Sequence, residues 1–158
     1  MSQTVQLDQS IPAFSAAATS ETTITEADFK GRLTVIYFYP KDSTPGCTTQ
    51  GQDFRDRYDK FKALNCEIIG VSRDSLRSHE RFREKHEFPF ELISDEEENL
   101  CKLFDVIKLK KLYGREYMGI ERSTFLIDAD GVLRQEWRKV RPKGHADVIL
   151  EAVEALAK

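Results

Sequence analysis

Apolar residues gather in short runs separated by polar turns. Leu33-Thr34-Val35-Ile36-Tyr37-Phe38-Tyr39 is β-branched and aromatic with almost no polar alternation, the pattern of a central strand buried on both faces. Pro40 ends it. Glu67 to Val71 predicts a second short strand with Cys66 at its edge, and Thr124 to Ile127 a third. Asp128-Ala129-Asp130-Gly131 is a turn signal, so Val132 to Trp137 is expected as a hairpin partner. The Ala-, Ser- and Thr-rich segment Ser15 to Thr25 reads as loop or a weak edge hairpin. Helices fall between the strands. Phe54, Tyr58 and Phe61 share one helical face, and Ile149, Ala152, Val153 and Leu156 share another in a C-terminal helix. Ser75 to Glu87 predicts a helix with a thin apolar stripe. Ser94-Asp95-Glu96-Glu97 reads as a capping box before Leu100, Leu103 and Phe104. Strands alternating with helices indicate an α/β sheet sandwiched by helices.

Composition narrows the function classes. The chain has 158 residues, 40% of them hydrophobic, and a formal charge of −3. That length suits one domain over residues 1–158, with a core that needs no disulfide staples. The acidic balance argues against a nucleic-acid partner. The longest apolar run, Val35 to Tyr39, is too short to cross a membrane. The start, Met1-Ser2-Gln3-Thr4-Val5, has neither the basic nor the apolar stretch of an export signal. Three cysteines is an odd number, which points to free thiols in a reducing cytoplasm. Cys47, Cys66 and Cys101 form no C-x-x-C pair, and His79, His86 and His145 do not cluster with them. A metal site is not expected.

The chemistry concentrates in Pro40-Lys41-Asp42-Ser43-Thr44-Pro45-Gly46-Cys47, between the buried strand and the first helix. Ligand sites in open α/β sheets favour this place. Thr44 is a good N-cap and Pro45 a preferred first helical residue. Cys47 then stands third in the helix, near N–H groups without helical partners. A free thiol with a pKa of about 8.5 is only about 3% thiolate at pH 7. A helix N-terminus favours the anion by roughly 0.3–1 kcal/mol, and by up to about 2 kcal/mol when partly buried. One pKa unit needs about 1.4 kcal/mol, so a strong nucleophile needs a cation as well. Arg122, opening the strand at Thr124, is the candidate. The cap, the strand and the glycine beside the sulfur predict an exposed, activated thiol.

Pro40, Thr44 and Cys47 fit P-x-x-x-T-x-x-C, the active-site pattern of peroxiredoxins. The run Phe38 to Thr49 resembles the peroxiredoxin Q (bacterioferritin comigratory protein) branch. The likeness continues through Val71-Ser72-Arg73-Asp74-Ser75, Leu92-Ile93-Ser94-Asp95 and Gly119 to Asp128. The resemblance implies a thioredoxin-like fold with a mixed central sheet, reduction of hydrogen peroxide and organic hydroperoxides, and a monomer. It implies that Cys47 attacks the peroxide and that Thr44 and Arg122 hold the thiolate and the peroxide oxygens. Pro40 would shield the thiolate. No metal, flavin or haem is required, and no motif for one is present.

Two departures stand out. Many members of the branch carry a resolving cysteine five positions after the first, and that position is Gln52 here. Others carry it on the following helix near Arg83, which also lacks one. The third residue after Cys47, often glutamate in the family, is Gln50. Cys66 and Cys101 read as packing residues. The expected route therefore uses one cysteine, and thioredoxin, glutaredoxin or a small thiol as external reductant. The basic groups Lys108 to Lys111 and Arg138 to Lys143 read as solvated surface. A disulfide exchanger would need a second cysteine within Thr48-Thr49-Gln50, and a cysteine phosphatase an arginine at Asp53. A redox-sensing or holdase module with poor turnover is the non-enzymatic alternative.

Overall fold

The computed structural model describes residues 4–157, so Met1 to Gln3 of the stretch read for an export signal lie outside it. The chain runs β1 (Ser15–Ala18), β2 (Thr22–Thr25), a 3-10 turn (Glu26–Phe29), β3 (Leu33–Phe38), α1 (Pro45–Asp56), α2 (Tyr58–Ala63) and β4 (Cys66–Ser72). It continues through α3 (Leu76–His86), β5 (Glu91–Ser94), α4 (Asn99–Leu103), β6 (Ile107–Leu112), β7 (Arg115–Ile120), β8 (Ser123–Ile127), β9 (Leu133–Trp137) and α5 (His145–Ala157). Seven strands form one sheet in the order β2-β1-β5-β4-β3-β8-β9. β3, β4 and β5 are parallel, whereas β8 runs antiparallel to β3. This is the mixed sheet flanked by helices that the sequence led us to expect. No helix among the described residues is long and apolar enough to cross a membrane.

Period-two alternation divides the strand side chains between two layers. Ile36 and Phe38 of β3 join Ile69, Val71, Phe104 and Phe125 on one face. Val35 and Tyr37 join Ile68, Phe54, Phe61 and Phe82 on the other. Burying a side chain of this size stabilises by about 1.5–3 kcal/mol, against about 0.5–1.5 for one hydrogen bond. The two apolar layers therefore dominate the hold on the sheet.

Several elements depart from the sequence reading. The Phe54/Tyr58/Phe61 helix is two helices, broken where Arg57 leaves helical geometry. The Arg57 guanidinium bonds Asp147 of α5 at 2.6 Å, and Phe54 and Phe61 stay buried on either side of the break. Ser94 to Glu97 is not a capping box. Glu98, in the left-handed region, opens α4, and the Asp95 carboxylate accepts the N–H groups of Leu100 and Cys101 at 3.0 and 2.7 Å. Lys108 to Lys111 lies in the β6–β7 hairpin, a separate two-stranded sheet. Its Leu109, Leu112, Tyr113, Tyr117 and Met118 are exposed. Arg138 is not plain solvated surface either. Its guanidinium donates to the carbonyls of Phe104 and Asp105 and lies 5.1 Å over the Phe125 ring.

Candidate active site

The chain leaves β3 at Phe38 and turns through Pro40 to Thr44 into α1. The Thr44 backbone is extended, and its carbonyl accepts the Thr48 N–H at 2.9 Å. Pro45, Gly46 and Cys47 are thus the first three helical residues, as the spacing predicted. The Thr44 side chain behaves differently from a cap. Its hydroxyl makes no cap bond and donates to the Lys41 carbonyl at 2.8 Å, closing the turn in which Ser43 has φ 64°. Pro40 is half-buried two residues beyond the end of β3. Cys47 is only 2% exposed, which corrects the expectation of an exposed thiol. The start of α1 lies against the sheet, so its third residue joins the layer containing Tyr37, Tyr39 and Phe54.

Strand pairing delivers the cation. Phe38 of β3 sits opposite Ser123 of β8, which puts Arg122 level with the end of β3, where α1 begins. Arg122 Nη2 donates to Cys47 Sγ at 3.4 Å, and Nη1 donates to Gln50 Oε1 at 2.6 Å. Gln50 is buried one turn beyond the sulfur, and its Nε2 has no protein partner. Only the structure identifies Arg122 as the donor to Gln50. Being neutral, Gln50 leaves the guanidinium charge facing the sulfur undiminished. Gly46 makes room for this contact, because a Cβ there would stand 3.2 Å from Arg122 Nη2 and 3.4 Å from Pro142 Cγ. Gly51 is tighter still, because a Cβ there would overlap the Phe88 ring, 2.9 Å from Cε2. Lys110, half-buried on β6, belongs to the same neighbourhood. Burial and then the Arg122 guanidinium push its ammonium below the ordinary lysine range, and Cys47 pulls the other way.

The other two thiols are buried and lie apart from this cluster. Cys66 opens β4 opposite Leu33, at the far end of β3 from Cys47. Five strand residues at about 3.3 Å each make that roughly 16 Å. Burial, reinforced by Glu67, pushes its thiol up to about 12. Cys101 packs in the layer on the opposite face of the sheet. Burial, followed by the Asp95 carboxylate, holds its thiol far above the ordinary range.

Residues 7–136 match the AhpC/TSA family. The chain belongs to the AhpC/TSA family. A relative named Peroxiredoxin Bcp from Bacillus subtilis is 50% identical over 153 residues, covering 97% of this chain and 96% of its own. Among solved structures, one is the Xanthomonas campestris bacterioferritin comigratory protein, in a study of its alkyl peroxide reduction activity. It shares 49% identity at TM-score 0.88, covering 92% of each chain. A cysteine-to-serine mutant of Xylella fastidiosa PrxQ shares 38% identity at TM-score 0.92, covering 99% of this chain and 100% of that one. The resemblance to the peroxiredoxin Q branch and the thioredoxin-like fold are borne out, and this AhpC/TSA protein is a thiol-dependent peroxidase.

In this peroxiredoxin the first residue of α5 packs beside the site. His145 Nε2 lies 2.8 Å from Thr124 Oγ1, and its ring meets Phe54 and Trp137 edge-on. Sequence reading missed it, because Phe54 and Thr124 come from other segments of the chain. Burial, then Arg122, pushes the imidazole down to about 4. A group that resists protonation when folded destabilises the fold in acid, because the unfolded chain binds the proton first. Below pH 6.5 the unfolding free energy should therefore fall, by about 3 kcal/mol once pH 4 is reached. His145→Gln should flatten that part of the profile in urea titrations. An identical acid slope in the variant would remove His145 as its cause.

Proposed function

We propose that Cys47 is the peroxide-attacking group of a one-cysteine enzyme reducing hydrogen peroxide and organic hydroperoxides. The contact of Arg122 Nη2 with Cys47 Sγ at 3.4 Å carries this reading. The thiolate sulfur bonds to one peroxide oxygen as the O–O bond breaks. The electron pair leaves on the second oxygen, which takes a proton from water and departs as water or an alcohol. Cys47 is thereby oxidised to a sulfenic acid. Arg122 donates to the sulfur and to the oxygen that gains charge, the interaction that lowers such barriers most. Thr44, with its hydroxyl held at the turn, borders the peroxide, and Pro40 keeps bulk water from the thiolate.

An external thiol then attacks the sulfenic sulfur and releases water, and a second thiol frees Cys47 from the mixed disulfide. The placement of Cys66 and Cys101, far along β3 and across the sheet, supports an external reductant: a small thiol, a glutaredoxin or a thioredoxin. The same reading makes residues 1–158 one domain, acting as a monomer in a reducing cytoplasm. One equivalent of peroxide should give a sulfenic acid trappable by dimedone on Cys47 and no intramolecular disulfide. Cys66→Ser and Cys101→Ser should keep turnover with dithiothreitol. A Cys47–Cys101 disulfide in the mass spectrum, with turnover lost in Cys101→Ser, would overturn the one-cysteine route.

A further inference from the structure

The turn ahead of Cys47 is tied to α3 by a buried polar network to which the peroxidase chemistry assigns no part. Asp42 is 5% exposed and His79 is fully buried. Asp42 Oδ1 accepts the Tyr39 hydroxyl at 2.6 Å. Oδ2 accepts the Ser78 hydroxyl at 2.8 Å and lies 2.7 Å from His79 Nδ1. His79 Nε2 lies 2.9 Å from the Ile93 carbonyl. A carbonyl has no proton to give, so Nε2 carries one. The contact between Nδ1 and Oδ2 then needs a second proton, shared between imidazole and carboxylate. The Asp42 backbone N–H is fixed as well, on Asp74 Oδ2 at 2.8 Å. Burial, followed by Asp42, holds the Tyr39 hydroxyl far above the ordinary tyrosine range, so it stays a donor.

We propose that Asp42 and His79 are positioning residues that set the Pro40–Thr44 wall of the thiolate pocket, resting on Cys47 as the attacking group. Two features make the wall dependent on such a hold. Ser43, the next residue, sits at φ 64°, a region that side chains other than glycine rarely adopt and that surrounding structure must maintain. Past it, the Thr44 hydroxyl closes the turn on the Lys41 carbonyl, and Thr44 opens the helix that presents Cys47. Asp42 lies between Pro40 and Thr44 and is fastened through both side chain and backbone. Its release would let Ser43 relax and move Pro40 and Thr44 relative to the sulfur, while Arg122 stays fixed by Gln50. The attack geometry suffers, because a misplacement of about 1 Å costs up to about a hundredfold in rate. Reduction of the sulfenic acid by a small thiol, which needs access rather than that wall, does not slow.

The decisive measurement separates the two half-reactions by stopped flow: oxidation of Cys47 by hydrogen peroxide, then reduction of the sulfenic acid by dithiothreitol. Asp42→Ala should slow the first at least about tenfold and leave the second unchanged or faster. Asp42→Asn should restore the first to within about threefold, since its amide donates to Nδ1 of a neutral His79 and its oxygen still accepts from Tyr39. Tyr39→Phe, which keeps the ring and removes one donor, should slow the first step severalfold and carries the test if Asp42→Ala does not fold. A peroxide step within about twofold of the parent in Asp42→Ala, or in Tyr39→Phe if it is needed, would overturn the proposal, as would equal slowing of both steps. Cys47→Ser keeps the two ideas apart. If that variant still consumes peroxide, the attacking group is wrong. If it is inactive while the Asp42 and Tyr39 variants match the parent, only the positioning role fails.

Discussion

Cys47→Ser should abolish peroxide reduction and leave the fold intact. The change exchanges sulfur for oxygen at a buried position where Arg122 already offers a donor, so packing is nearly preserved. The chemistry is not. A serine hydroxyl stays protonated at neutral pH and cannot displace oxygen from a peroxide, and losing the proposed nucleophile should lower turnover by more than about a thousandfold. Peroxide consumption with dithiothreitol measures this, and circular dichroism shows whether the variant is folded. A folded variant that retained more than a few per cent of the activity would reassign the chemistry to another group.

Arg122→Ala should lower the rate of Cys47 oxidation by about a hundredfold to a thousandfold, the range for removing a charge-stabilising donor. Two losses combine. The sulfur loses its nearest cation, and Gln50 loses the donor to its Oε1 while its Nε2 already lacks a partner. A buried amide left without partners costs about 1–3 kcal/mol, so the variant should also unfold at lower denaturant concentration. Arg122→Lys should recover only part of the rate, because one ammonium cannot reproduce a planar fork reaching sulfur and amide together. Alkylation of the folded protein by iodoacetamide at neutral pH gives an independent reading. Parent-like alkylation and oxidation rates in Arg122→Ala would show that the guanidinium does not govern the sulfur.

The parts legible in the sequence are those that one stretch of chain determines alone. β3 is apolar at nearly every position, so its burial on both faces shows in its composition. The start of α1 follows from Thr44 and Pro45, which fixes Cys47 in the first turn wherever the helix later packs. β5 has only four residues and went unseen as a strand, since its identity comes from pairing with β4. The β6–β7 hairpin mixes charged with apolar residues and leaves Leu109, Leu112, Tyr117 and Met118 exposed, which looks like ordinary surface in a sequence. The break at Arg57 is silent because the apolar spacing runs straight through it. The contact of Cys47 with Arg122 and the pairing of Asp42 with His79 join segments 75 and 37 residues apart, so no local pattern encodes them.

Gly51 and Phe88 place an order on how this sequence can drift. The backbone of α1 approaches the Phe88 ring so closely that no side chain fits at position 51 while the ring is present. Residue 51 lies one helical turn beyond Cys47, so lifting the helix there would carry the sulfur away from Arg122. A lineage could therefore gain a side chain at 51 only after Phe88 had first become smaller. The reverse order passes through a protein whose Cys47 sulfur is drawn away from Arg122, and if Cys47 is the attacking group, selection for peroxide removal would close that path.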